Sequence, residues 1–448
     1  MQGVFIRVHS CKFVSFVVNS KTNRNDETMQ LTETRLGHAV HALTEILPLA
    51  YPADASLSRY FRLNHELGQK DRAFVAETVF AVLRRKRLLE HLAAPETGPR
   101  HLILAHLARL QGLSLRELEP VLKPGEADWL KQVKAVSSDG LPLAIQADFP
   151  DWLVESLAAR CSADEILTLA RGMLQPAPLD LRVNTVLAGR EEVLAILARD
   201  GIAASATPYS PVGVRLKEKP AINRHPLFLS GKIEVQDEGS QLLGYLVAPR
   251  RGEMVADFCA GAGGKTLLLG ALMHSQGRLY AFDVSEKRLA QLKPRLKRSG
   301  LSNLHPQLIA NENDIKIKRL AGKLDRVLVD APCSGLGTLR RNPDLKWRQK
   351  PQDIEELAQK QAAILTAAAR LVKTGGRLVY ATCSILAEEN EQIVEAFLAA
   401  HPEFELRAAS EVLAQQHIPL DTGKYFRLAP HLHGTDGFFA VVMERKTG

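Results

Sequence analysis

Apolar residues recur at helical spacing through the first third of the chain. They do so in RLGHAVHALTEILPLAY (35–51), DRAFVAETVFAVLRRKRLLEHLA (71–93) and RHLILAHLARLQGL (100–113). Spacing of this kind predicts helices that bury one face each. Pro52, Pro95 and Pro99 punctuate the run, so residues 33–135 read as a small helical bundle. The pattern then changes. FPDWLVESLAARC (149–161), SADEILTLARGML (162–174) and GREEVLAILARDG (189–201) read as helices, while LDLRVNT (179–185) and VGVRLKE (212–218) read as strands. That order predicts a small α+β subdomain.

From about residue 236 strands and helices alternate regularly. Strands are predicted at MVADFCA (254–260), GRLYAFDVS (277–285), LDRVLVDAP (324–332), GRLVYATCS (376–384) and DGFFAVVMER (436–445). Helices are predicted over 265–273, 286–299, 356–372 and 388–400, the third stopped by Thr374, Gly375 and Gly376. This alternation predicts an α/β fold with a doubly wound parallel sheet. Ligands in such folds sit at the C-terminal strand ends. The expected division is an extension over 1–30, a helical domain over 31–137, a small α+β subdomain over 138–235, and the doubly wound domain over 236–448.

Composition changes this picture little, but charge does. The 448 residues carry a net charge of +8 and 46% hydrophobic residues, as expected of a globular protein with an anionic partner, nucleic acid first. No apolar run reaches the roughly 18 residues of a membrane span. The first acid is Asp26, so residues 1–25 are basic; a transit peptide has this look, but a plain extension with Met29 as the start is favoured. The cysteines Cys11, Cys161, Cys259, Cys333 and Cys383 include no Cys-x-x-Cys pair, which argues against structural zinc and for a reducing compartment.

The chemistry concentrates at the predicted strand ends. VADFCAGAGGKT (255–266) is a strand running into a glycine turn. A P-loop needs glycine at 259, where this chain has Cys259. A dinucleotide turn needs G-x-G-x-x-G, and Gly261, Gly263 and Gly264 do not give that spacing. A third reading is an S-adenosylmethionine site, in which the turn lets backbone approach an amino acid and a ribose. Asp283, ending the next strand, would then accept the ribose hydroxyls, as it also would from a dinucleotide. DAPCSGLG (330–337) and YATCS (380–384) place Cys333 and Cys383 on the same rim; singly, each is as well read as a small buried hydrophobe. The basic run at Arg84, Arg85, Lys86 and Arg87 reads as a solvated face or an RNA-docking surface.

With these residues in view, the sequence resembles the RNA cytosine-C5 methyltransferases of the RsmB/NOP2/Sun type. CAGAGGKT, FDVSEKRL, DAPCSGLGTLRRNPDLKW and LVYATCS carry the resemblance, with DLRVN and VQDEGSQL upstream, over about 175–443. The N-terminal helices resemble, more weakly, the NusB-like domain of bacterial ribosomal RNA members. The resemblance implies a Rossmann-like methyltransferase domain using S-adenosylmethionine. It implies Cys383 as the nucleophile at cytosine C6, Cys333 as the group assisting release, and Asp330 as a hydrogen-bond partner of the cytosine ring. The cofactor residues implied are Cys259, Ala260, Gly261, Ala262, Gly263, Gly264, Lys265, Asp283 and Asp330. Ala262 stands where relatives have proline. The usual acid on the adenine side is replaced by Asn311, with Asn313 or Asp314 as substitutes. Arg182, Arg340 and Arg341 are candidates for RNA phosphate contact; Lys287, Arg288, Lys293, Arg295, Lys297, Arg298, Lys346 and Arg348 are basic neighbours in sequence. The expected protein is a cytoplasmic, monomeric enzyme with ribosomal RNA as substrate, transfer RNA being the alternative. A P-loop NTPase and a non-catalytic RNA-binding or ribosome-assembly protein are the rivals from other classes.

Overall fold

A computed structural model describes residues 31–447. The stretch read as an extension, 1–30, lies outside the described residues. The described chain forms two compact units. One is helical and runs up to Pro176, with Leu339–Lys350 added to it; the other comprises Ala177–Thr338 and the chain from Pro351 onwards. Among the described residues no helix is long and apolar enough to cross a membrane.

In the helical unit Leu36, Leu43, Val79, Leu89 and Ile103 are fully buried in one core. The long amphipathic stretch over 71–93 forms two helices, Gln69–Arg84 and Lys86–Ala93, because Arg85 leaves helical geometry at φ −114°, ψ 23°. The basic run at this break is spent on internal partners. Arg85 pairs with buried Asp148 at 2.6 Å, Lys86 with Glu90 at 2.6 Å, and Arg87 with Asp151 at 2.7 Å. Arg87 also donates to the Phe149 carbonyl. These bonds tie the segment starting at 148 to the helical unit, with which the helices Asp151–Ala158 and Ala163–Leu174 group by contacts.

The added segment 339–350 joins the same core. Trp347 Nε1 donates to the Leu83 carbonyl at 2.7 Å, Lys346 Nζ to the Arg84 carbonyl at 2.9 Å, and Arg84 to the Arg340 carbonyl at 3.1 Å. Asp344 accepts from the Ala53 amide at 3.2 Å and pairs with Arg348. Burial pushes the Lys346 ammonium down to about 7, against the pull of Asp148.

The second unit contains two sheets. The small one is antiparallel, built from β1 (Leu179–Val183), β2 (Ala204–Ala206), β3 (Gly213–Leu216) and β4 (Ile233–Val235) in the order β2-β3-β1-β4. The large one contains β5 (Met254–Asp257), β6 (Arg278–Asp283), β7 (Leu304–Leu308), β8 (Leu324–Asp330), β9 (Val372–Thr382), β10 (Phe404–Arg407), β11 (Phe426–Leu428) and β12 (Phe438–Arg445). Its order is β10-β12-β9-β8-β5-β6-β7, with β11 on β12. Strands β9, β8, β5, β6 and β7 are parallel. The closing strand β12 pairs antiparallel with β9, so the doubly wound sheet carries an antiparallel edge. Both faces of β5 and β8 are covered, which is why their central residues, Met254–Ala256 and Val327–Val329, are apolar without alternation. Strand β7, LHPQL, escapes the sequence pattern because His305, Pro306 and Gln307 interrupt its apolar residues. The helix Glu286–Ser299 lies where its spacing predicts it, capped by Ser285 and ended by Gly300 at φ +71°.

Candidate active site

The site is built on the C-terminal ends of β5, β6, β8 and β9. After Asp257 the chain turns through 258–263 and enters the helix Gly264–Leu272. Backbone bonds hold the turn to both neighbouring strands: the Phe258 amide donates to Leu328, the Ala260 amide to Phe282. Gly263 has φ +82°, and a Cβ there would lie 2.1 Å from Leu292. Only glycine fits that position. Gly261 has φ +56°, and a Cβ there would meet nothing within 4 Å. The turn is therefore open on that side. The Gly261 amide donates to Asp283 Oδ2 at 2.8 Å, and Asp283 Oδ1 takes the Ser285 amide at 2.7 Å. Asp283 thus sits beside the glycine turn, with lone pairs remaining on both oxygens.

Two guanidinium groups grip the turn from behind. Arg295 donates to the Ala262 carbonyl at 2.7 Å, and Arg182 donates to the Gly264 carbonyl and to Gln236. Glu234 of β4 bridges Arg295 and Arg298. Arg182 was expected at RNA phosphates, but it is 2% exposed. Its donors are turned inward because β1 pairs with β4 directly over the turn, and this role has no sequence signal beyond an arginine inside an apolar strand. Arg340, the second RNA candidate, is 5% exposed within the helical unit, and Arg341 beside it is half-buried. Arg295, Arg298, Lys346 and Arg348 likewise have internal partners. Asn311 is exposed and uses its side chain to accept from the Asn313 amide. Asp314 caps a short helix and accepts from the Ala310 and Lys316 amides, which hold its carboxyl below the usual range.

Asp257 is buried under the turn. Burial pushes its carboxyl up to about 7, although Thr266 donates to one oxygen at 2.7 Å. The other oxygen, Oδ1, is buried without a hydrogen-bond partner among the described residues. Burial, reinforced by Asp257, Asp283 and Asp330, pushes the Cys259 thiol well up. Such a thiol is a poor nucleophile.

Strands β8 and β9 are parallel neighbours with Asp330 opposite Ala381. That register brings the two following loops together. Cys333 Sγ lies 3.4 Å from Cys383 Sγ, and the Cys383 amide points at Cys333 Sγ at 3.4 Å. Gly337 fixes the approach: its amide donates to the Cys383 carbonyl at 2.8 Å, and a Cβ on it would lie 2.2 Å from the Gly437 carbonyl. Lys265, leaving the glycine turn, reaches Asp330 at 2.7 Å. Burial pulls the Lys265 ammonium down, but Asp330 and then Cys383 and Asp257 more than offset it, so it stays firmly charged. Asp330 Oδ1 makes no hydrogen bond among the described residues and the side chain is 30% exposed. The rim thus combines two adjacent thiols, a carboxylate with one open oxygen, and a cation paired with that carboxylate and felt electrostatically by Cys383.

The parallel sheet with its glycine turn and rim acid defines a Rossmann-like protein with its ligand site at the strand ends. Comparison with known proteins narrows the class. The family model for the 16S rRNA methyltransferase RsmB/F matches residues 244–444, and that for the RsmF/B-like ferredoxin-like domain matches 149–223. A protein of Bacillus subtilis described as probable ribosomal RNA small subunit methyltransferase B is 30% identical over 421 residues, 86% of this chain and 92% of that one. Its counterpart in Synechocystis is 33% identical over 428 residues, 88% and 95% of the two chains. The ribosomal RNA small subunit methyltransferase B of Yersinia pseudotuberculosis is 33% identical over 440 residues, 91% and 98%. A methyltransferase homolog protein of Pyrococcus horikoshii superposes with a TM-score of 0.59 at 28% identity, covering 69% of this chain and 100% of its own. NSun6 of that organism, solved with SFG, shares the fold with a TM-score of 0.59 at 21% identity, covering 67% and 99% of the two chains. The chain belongs to the RsmB/F family of methyltransferases.

Proposed function

We propose that this protein transfers the methyl group of S-adenosylmethionine to C5 of a cytosine in ribosomal RNA. The observation carrying the reading is the pair of thiols 3.4 Å apart beside the Lys265–Asp330 pair. The relatives' names support ribosomal RNA as the substrate.

The turn fits the cofactor on two counts: it is open at Gly261, and the buried Asp257 Oδ1 has no partner among the described residues. The turn Cys259–Lys265 and Asp283 would hold it, with Asn311 at the adenine end. When bound, it supplies an electrophilic methyl group on a sulfonium. Cytosine C5 is too weakly nucleophilic to take that methyl unaided. Cys383, as thiolate, adds to C6, and the ring becomes an enamine. C5 of this enamine, held at the rim by Cys383, would take up the methyl group that the cofactor supplies. A base takes the C5 proton, the electron pair left behind re-forms the C5–C6 double bond, and the C6–sulfur bond breaks with its pair returning to the Cys383 thiolate. Cys333, adjacent to Cys383, assists that release. Asp330 Oδ1 accepts from the N4 amino group, or from N3 once it is protonated as the adduct forms. Lys265 orients Asp330 through their 2.7 Å ion pair, and its charge favours the thiolate at Cys383. The target base has to leave its stack to reach this rim.

Bisulfite sequencing of ribosomal RNA from cells with and without the protein tests the reading. One cytosine is expected to lose its protection in the deletion strain. If no ribosomal position changes and a transfer RNA position does, the substrate assignment is wrong. The purified chain is expected to bind S-adenosylmethionine and not ATP·Mg in calorimetry. Asp283→Ala is expected to weaken cofactor binding by about 1–3 kcal/mol, the cost of a lost hydrogen-bonding carboxylate. Arg182→Met, which leaves the Gly264 carbonyl without its donor, is expected to raise the cofactor dissociation constant about tenfold. An unchanged constant in the same calorimetry would mean that the turn keeps its shape unaided.

A further inference from the structure

Each of the paired cysteines is followed by a serine, and neither serine enters the chemistry above. Ser334 and Ser384 are both buried, and their hydroxyls lie 3.2 Å apart. Both donate to one oxygen of Glu389, Ser334 at 2.5 Å. The other oxygen accepts from the Ser334 amide at 2.7 Å and from Gln361 Nε2 at 3.0 Å. Gln361 Nε2 also donates to the Pro332 carbonyl at 2.9 Å, on the residue preceding Cys333. The backbone around Glu389 is fixed as well. Tyr380 donates to the Glu389 carbonyl at 2.6 Å, and Asn390 Nδ2 donates to the Ser384 carbonyl at 3.1 Å. A single side chain therefore ties together the two loops that carry the thiols.

Glu389 is fully buried, and no lysine, arginine or histidine pairs with it among the described residues. A buried carboxylate without a cation costs stability. Its negative charge also disfavours a thiolate nearby, so electrostatics gives it no catalytic advantage here. What it supplies is geometry: four convergent donors, two from each side of its carboxylate, which a smaller or apolar side chain cannot gather.

We propose that Glu389 is a positioning residue that sets the separation and orientation of Cys333 and Cys383 by clamping Ser334 and Ser384. The inference rests on the cytosine-C5 reading for its kinetic arm alone. Glutamine can keep the clamp, because its amide oxygen accepts from the Ser334 amide and Gln361 while its NH₂ donates to two hydroxyls that can turn to accept. Alanine cannot.

The test uses the full chain carrying Glu389→Ala or Glu389→Gln. Phenylarsine oxide, whose trivalent arsenic bridges two close thiols, reports the spacing without any methylation. Wild type is expected to bind one equivalent, lost on Cys333→Ala or Cys383→Ala. Glu389→Ala is expected to weaken that binding by about tenfold or more, as the effective concentration of the second thiol falls. Its kcat is expected to fall about 100-fold, the usual consequence of an ångström-scale misplacement, with KM for RNA and cofactor nearly unchanged. Glu389→Gln is expected to recover most of both losses. Wild-type arsenical affinity and kcat in Glu389→Ala would overturn the proposal. So would losses of cofactor binding and melting temperature equal to the kinetic loss and not rescued by glutamine. If Glu389→Ala does not accumulate folded, the Ser334→Ala, Ser384→Ala double variant decides on the same readouts. Should the wild-type chain methylate no cytosine, the reading above falls while the arsenical comparison still decides on Glu389.

Discussion

Cys383→Ala is expected to abolish methyl transfer and Cys333→Ala to trap the enzyme on its RNA. The two sulfurs are 3.4 Å apart, so both can reach the same base. Their proposed tasks differ in time. Without the Cys383 thiolate, C5 is never activated, and the rate falls on the order of 10⁴-fold or more, as when other nucleophiles are removed. No covalent complex forms. Without Cys333, attack and methyl transfer proceed but release is slow. A protein–RNA adduct then accumulates and survives denaturing electrophoresis. The double variant gives no adduct, because attack precedes release. If Cys383→Ala traps the adduct and Cys333→Ala prevents it, the roles are reversed. If neither changes methylation, both thiols are structural and the covalent mechanism fails.

Lys265→Met is expected to lower kcat/KM by about 10²–10³-fold and to move the acid limb of the pH–rate profile to higher pH. The ammonium sits 2.7 Å from Asp330 and is stabilised by Cys383 as well. The sign follows from the charges. A nearby cation favours a thiolate over a thiol, so its removal raises the pH needed to form the nucleophile. The same loss leaves Asp330 without its orienting partner. Lys265→Arg keeps the charge and is expected to leave the limb in place while losing rate through altered geometry. A methionine variant with an unshifted limb would show that Lys265 serves the cofactor turn alone.

The basic residues show where a reading of charge along the chain loses its hold. Arg85, Arg87, Arg295 and Arg298 look like a nucleic-acid surface in sequence, yet each meets a carboxylate of its own unit. Those carboxylates, Asp148, Asp151 and Glu234, come from segments far along the chain, so no local pattern announces the pairing. Arg182 and Lys346 go further. Both are buried, and both donate to backbone carbonyls that a one-dimensional reading does not place. A steep fall of RNA affinity with salt is expected from the net charge of +8, although Arg182 and Arg340, singled out in the sequence for phosphate contact, are buried.

The sequence by itself determined the alternation of strands and helices in the second half, because period-2 and period-3.6 patterns are local properties of the chain. It also determined the positions of the glycine turn, of Asp283 and of both cysteines at strand ends. Tertiary structure alone decided the rest. The parallel register of β8 and β9 sets the 3.4 Å between two thiols 50 residues apart, and β12 closes the sheet antiparallel. The segment 339–350 follows the first cysteine loop in sequence but packs with the helical unit, where Leu83, Arg84 and Ala53 supply its partners. Glu389 reads as one more acid at the start of a surface helix, and only the fold shows four donors converging on it. The physical reason is the same in each case. Hydrophobic periodicity is encoded residue by residue, whereas a hydrogen bond across 50 residues exists only once the sheet has set its register.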